Sequence, residues 1–210
     1  MLAGDEQPHF SELIGTISAA RAAPDQTALA PAAVVIATAM MYVRLLAVIF
    51  LLGHTDAALA LLIPFGGFFV LSVAIAGMLA WRVRNQPQTT HEAVSANPLD
   101  LPIAFLFAGL FVAFAAVTDF VTSHYGANGL HLLSFVVGFS DIDPFILSLL
   151  DGKFQVSQSA IVSAVLIASG SNNLLKAGYA MVLSRQRSMR PAGVWLALTL
   201  LISVIYATYV

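Results

Sequence analysis

Six side chains able to carry charge or polar chemistry stand where their neighbours are almost all apolar. They are Arg44, Asp141, Asp143, Asn172, Asn173 and Lys176, with Ser140 and Ser169 beside them. Arg44 interrupts the apolar run 28–52, and the nearer end of that run, Gly53, is nine residues away. That is about 13 Å at the helical rise, too far for the guanidinium to reach a membrane surface. An unpaired arginine at mid-membrane costs at least ~2.5–3.5 kcal/mol, so Arg44 must face a polar interior and wants an anion. Ser169, Asn172, Asn173 and Lys176 recur at offsets of three, four and seven, which places them on one side of a helix. Such a stripe either bonds helices together or lines a site.

The acids lie in Gly138-Phe139-Ser140-Asp141-Ile142-Asp143-Pro144, between two apolar stretches. Asp143 before proline predicts a helix N-cap, with Pro144 at the first helical position. Asp141 is then left for chemistry. Carboxylates at a broken helix hold Na⁺ or H⁺ in several transporters, and an Asp-x-Asp pair suits Mg²⁺ against a phosphate. A bound cation is therefore the ligand to expect, with no other cofactor, and Asp141 is the favoured partner for Arg44. His9, His54, His91, His124 and His131 show no ligand spacing and are read as tail, loop or interfacial residues.

The elements that must position these groups follow from composition. Of 210 residues 59% are hydrophobic and only 10% charged, and the mean hydropathy is +0.88. A soluble domain carries roughly 25% charged residues, and one of this length could not bury so much apolar surface, whereas a bilayer accepts it. The net charge of −2 gives no reason to expect a nucleic-acid partner. The absence of cysteine excludes disulfides and thiolate chemistry. Nothing near the N-terminus resembles a cleaved signal peptide.

The chain divides into a polar segment 1–27, in which Phe10, Leu13, Ile14 and Ile17 suggest a short amphipathic helix on the membrane surface, and a transmembrane domain 28–210. Apolar spans are expected over 28–52, 57–81, 101–121, 156–183 and 192–210, with a polar loop from Arg82 to Pro98. The stretch 127–150 is interrupted at its centre. The fold expected is an all-α, polytopic transmembrane bundle of five to six spans, with a broken or re-entrant helix around residues 138–144. The positive-inside rule supports re-entry. If 127–150 crossed fully, the basic loops at Arg82/Arg84 and Arg185/Arg187/Arg190 would face opposite sides. If it enters and leaves on one side, both face the cytoplasm and Arg21 joins them. A weak repeat points the same way. Gly15-Thr16-Ile17-Ser18 precedes Arg44 as Phe145-Ile146-Leu147-Ser148 precedes Lys176, each by about the same interval, and re-entry would make the two cationic helices run in opposite directions.

Several of these motifs resemble a known family. Ala37-Thr38-Ala39-Met40-Met41-Tyr42-Val43-Arg44, Leu62-Ile63-Pro64, Gly138-Phe139-Ser140-Asp141-Ile142-Asp143 and Asn172-Asn173-Leu174-Leu175-Lys176-Ala177-Gly178 resemble the uncharacterised C-terminal domain (domain of unknown function 4010) of two-part MgtC/SapB-type bacterial membrane proteins. The resemblance implies a multi-pass protein of the bacterial inner membrane, and no reaction. Members of the family usually carry an MgtC-like half before this domain, which leaves open a chain that works alone, one that pairs with a separate MgtC-like subunit or with itself, and one that has degenerated. This chain departs from the family pattern where 4–15 stands in place of a serine-rich broken helix, and where Pro144 replaces an alanine.

Three functions are open to such a chain. The first is a transporter-like or channel-like role for a small ion, with Asp141 and Asp143 binding a cation or proton while Arg44 and Lys176 balance charge. The second is a non-transporting regulatory or structural subunit that binds another membrane protein. The third is an enzyme acting on a lipid phosphate through Mg²⁺. It is the weakest, because no further acids or histidines are suitably placed, and the chain is read as not an enzyme.

Overall fold

A computed structural model describes residues 29–83, 101–152, 154, 156–184 and 187–209. The expected amphipathic helix within 1–27, Arg21, Arg84, most of the polar loop after Arg82 and Arg185 lie outside the described residues. The described chain forms six α-helices: α1 Ala30–Leu51, α2 Thr55–Arg82, α3 Leu101–Val137, α4 Ile142–Asp151, α5 Gln158–Ser184 and α6 Arg190–Ala207. A single 3₁₀ turn, Arg187–Met189, leads into α6. Five of the helical segments are long and apolar enough to cross a membrane, and α4 is the exception. Ile63, Val70, Trp81, Phe105 and Val182 are between 64% and 76% exposed, an apolar exterior that water would not tolerate on a soluble monomer.

Local chemistry sets the boundaries. Pro31 opens α1, where its missing N–H costs nothing. Gly53, at φ 85°, closes the tight turn between α1 and α2, with its N–H bonded to the Phe50 carbonyl and that of His54 to Ile49. Pro64 sits inside a continuous α2. Two hairpins result, α1 with α2 and α5 with α6, while α3 packs on α4 and α5.

Between the hairpins the chain does not simply cross. Gly126, at φ 58° and ψ −146°, breaks α3 with a conformation reserved for glycine. The break anticipated at 138–144 is present as well, as a turn over residues 138–141. A short arm, 127–137, therefore runs to that turn, and α4 runs away from it.

The direction of both arms follows from what their ends touch. Leu130, near the start of the first arm, shares one buried cluster with Leu149 and Leu150 at the end of α4. The same cluster holds Ala160 at the start of α5, Ile49 at the end of α1, Ala57 and Ala58 at the start of α2, and Tyr206 at the end of α6. The tip itself meets Ser171 and Asn172, midway along α5, and α4 returns from there to a short loop before the start of α5, so the segment is re-entrant. At the other end, Ala30 and Ala32 of α1 cluster with Ile75 and Leu79 of α2, Ala177 of α5, and Met189 and Ala192. Arg82, Arg187 and Arg190 are consequently at this same end, as the parity argument requires. Cysteines introduced at Val83 and Ser188 should react with an impermeant thiol reagent from one side of a sealed vesicle, and cysteines at His54 and Thr208 from the other. Labelling of Val83 and Ser188 from opposite sides would rule out the re-entrant topology.

Candidate functional site

The tip of the re-entrant arm sits on α5 without a gap. A Cβ at Gly138 would lie 2.4 Å from Ser171 Cβ and 2.7 Å from the Ala168 carbonyl oxygen, so only glycine fits there. Ser171 donates to the Phe135 carbonyl at 2.6 Å, and the Asn172 amide donates to the carbonyls of Gly138 at 3.2 Å and Ser140 at 3.4 Å. These are the carbonyls that the interrupted helix leaves unpaired, and inside a membrane they need partners from the protein. Ser140 Oγ donates to the Val137 carbonyl and closes the turn.

At the tip the two acids exchange the roles expected of them. Asp141, not Asp143, caps α4: its Oδ1 accepts from the Asp143 N–H at 3.1 Å, and its backbone is extended. Pro144 is then the third residue of the helix rather than the first, still within the turn whose N–H groups lack helical acceptors. Asp143 is the counter-ion of Arg44. The guanidinium Nη2 lies 2.8 Å from Oδ1 and 2.7 Å from Oδ2, so one nitrogen is shared between both oxygens. An N-cap two residues before the acid leaves the Asp143 side chain in the first turn, pointing out from the helix, where α1 can meet it.

The polar stripe of α5 divides between two neighbours. Asn172 serves the tip. Asn173 is fully buried and donates to Tyr42 Oη of α1 at 2.6 Å and Thr199 Oγ1 of α6 at 2.9 Å, with Thr199 donating onward to the Leu196 carbonyl. Its own carbonyl oxygen has no partner. Ser169 turns back onto the Val165 carbonyl within α5 and joins neither group. Lys176 reaches α1, where its Nζ lies 3.3 Å from Met41 Sδ. A second interhelical bond, Trp195 Nε1 to Ser72 Oγ at 2.9 Å, ties α6 to α2. Tyr42, Thr199, Ser72 and Ser171 were absent from the residues singled out by sequence. Only Tyr42 carried a signal, as a hydroxyl two residues before Arg44.

Asn173→Leu should weaken the contact of α5 with both α1 and α6. Interhelical bonds of this kind are worth ~0.6 kcal/mol each and at most ~1.7, and the change also strands the Tyr42 hydroxyl. A fall in thermal stability is expected, larger than for Ser169→Ala, whose bond is internal to its helix. Equal or improved stability for Asn173→Leu would exclude the network.

Beside the ion pair is a crevice of about 170 Å³, lined by Arg44, Leu45 and Val48 of α1, Phe107 of α3, and Asp143, Ile146 and Leu147 of α4. The Arg44 side chain is 51% exposed and that of Asp143 28% exposed. Both charges thus border open space although they lie at mid-helix and at the tip of a re-entrant arm. Among the described residues no group of three or more His, Asp or Glu side chains could hold a metal ion.

The family model described as "Domain of unknown function (DUF4010)" matches residues 13–184, which includes every residue of the tip, Arg44 and Lys176. The chain belongs to the DUF4010 family. A relative by sequence, an uncharacterized protein of Aquifex aeolicus (strain VF5), is 32% identical over 93 residues. That alignment covers 43% of this chain and 40% of the Aquifex protein, so the chain spans less than half the length of that relative. No solved structure matches. For this DUF4010 chain the site must therefore be read from its own geometry.

Proposed function

We propose that the chain is a transporter-like protein of a bacterial inner membrane that carries a small ion through the site at the re-entrant tip. The observation behind this reading is the Arg44–Asp143 pair, which lines a crevice and is carried by a hairpin that does not cross the bundle. A charged pair at that depth is expensive unless water or substrate reaches it, which is why ionisable groups within membrane helices accompany ion pathways. Broken helices whose free carbonyls and helix ends meet near the bilayer midplane are the usual construction of transporter sites.

The purified chain, reconstituted into liposomes, should dissipate an imposed gradient of at least one of H⁺, Na⁺, K⁺ or Cl⁻, and Asp143→Asn should abolish that flux. Leak equal to empty liposomes for all four ions would sink the proposal. One observation favours a second reading, a membrane subunit that docks another polypeptide, for example an MgtC-like half or another copy. The half-exposed Arg44 needs polar cover, and a partner helix would supply it as well as water does. Absence of flux together with shielding of a cysteine at Val48 in native membranes, but not after purification, would favour that reading.

A further inference from the structure

Of the four charges around the tip, only two are paired with each other. Arg44 and Asp143 neutralise each other. Asp141 is exposed and caps α4. Lys176 is partly buried, and the charges acting on it are those of Arg44 and Asp143, which oppose one another. Its ammonium carries three donors, and the hydrogen bond it makes is to a thioether, a weak acceptor. Among the described residues no carboxylate lies within ion-pair distance of it. A partly buried ammonium whose hydrogen bond goes to sulfur has donors left over for an anion.

The order of the groups along the bundle adds to this. Leu45 and Val48 lead from Arg44 toward the end of α1, and Ile146 and Leu147 lead from Asp143 toward the end of α4, so the α1 and α4 walls of the crevice lie on the non-basic side of the ion pair. Met41, which Lys176 touches, is about one helical turn from Arg44 on the basic side. Lys176 likewise follows Asn172, which holds the tip, by one turn toward the basic end of α5. Lys176 thus lies about one turn from Arg44 along the bundle, on its basic side.

We propose that Arg44 and Lys176 form a binding site for a small monovalent anion, which enters by the crevice, takes over the guanidinium from Asp143, and supplies the counter-charge that Lys176 lacks. The proposal rests on the small-ion reading and names its substrate class. A cation at the same place would face two fixed positive charges and one carboxylate already engaged. Two cations about a turn apart along the bundle, both acted on by the Asp143 carboxylate, instead give an anion successive partners, the arrangement that lets binding be favourable without being a trap.

The test is thermal unfolding of the purified full chain in detergent, at fixed ionic strength, with chloride, nitrate or formate replacing gluconate, which is too large for the site. A saturable rise in Tm with the small anion is expected, unchanged when Na⁺ replaces K⁺. Lys176→Met should weaken the apparent affinity roughly tenfold or more, the loss of one charge-assisted bond, while Lys176→Arg should retain it. In gluconate alone Lys176→Met should be no less stable than the parent, since it removes an uncompensated charge, and that result shows the variant is folded. A response that follows the cation, that is absent for all three anions, or that survives intact in Lys176→Met overturns the anion site. Anion binding with no flux in liposomes would leave this inference standing and remove the transport reading. Cation flux with no anion response would do the reverse.

Discussion

Replacing Arg44 by alanine should cost the protein a large share of its stability, and Asp143→Asn in the same chain should restore part of it. Arg44→Ala leaves the Asp143 carboxylate at the tip of the re-entrant arm without the cation it touches at 2.7 Å. Stranding one partner of a fully buried pair costs ~3–5 kcal/mol, and the loss here should fall below that range because the Arg44 side chain is half exposed and that of Asp143 partly exposed. In the double variant no charge is stranded, so the loss should shrink to the neutral hydrogen bonds. The discriminating control is Arg44→Ala with Asp141→Asn. Asp141 caps α4 and does not meet Arg44, so this pair should show no rescue and a further loss of up to ~1 kcal/mol, because asparagine caps nearly as well as aspartate but forfeits the charge. The measurement is unfolding in detergent, or steady-state abundance in membranes, for the four chains in parallel. Rescue by Asp141→Asn and not by Asp143→Asn would reverse the assignment of the two acids.

Gly138→Ala should be the most damaging single-methyl change in the described chain. The added carbon would overlap Ser171 Cβ at 2.4 Å and the Ala168 carbonyl oxygen at 2.7 Å, and the second is backbone, which cannot rotate away. Overpacking of this kind costs ~1–3 kcal/mol, and relief requires the tip to lift off α5. Lifting would break the bonds from Ser171 and Asn172 to the tip carbonyls and carry Asp143 away from Arg44. Destabilisation should therefore come with loss of the Arg44–Asp143 coupling: Arg44→Ala should cost less in a Gly138→Ala background than in the parent. Gly66→Ala and Gly67→Ala, at positions open to space for a Cβ, are the controls and should be nearly neutral. Full additivity of Gly138→Ala and Arg44→Ala would show that the tip's seat on α5 does not set the ion pair.

Much of this architecture was written in local sequence. Apolar runs of sufficient length, punctuated by Pro31, Gly53 and the polar loop after Arg82, specify which segments can cross a bilayer, because hydrophobicity and chain length alone decide insertion. The need for a counter-charge at Arg44 was equally local, since it follows from one residue's distance to the nearest span end. The break near Gly138, and the side of the bundle on which the basic residues gather, followed from charge parity. The second break, at Gly126, carried no such signal: a lone glycine in an apolar run is tolerated in a helix, and only the packing of the 127–137 arm against α5 demands its left-handed backbone.

Which acid caps and which pairs could not be settled from sequence either. Asp141 and Asp143 are both competent N-caps two residues apart, and the choice depends on the direction in which α4 leaves the turn, set by α5 holding Gly138 and Ser140. The stripe Ser169-Asn172-Asn173-Lys176 was legible as one polar side of a helix, but its division between the tip, the Tyr42–Thr199 network and Met41 was not. Helical periodicity gives the angle at which a side chain leaves its own axis. What stands at that angle is fixed by helices far away in sequence, and that is information only the tertiary fold contains.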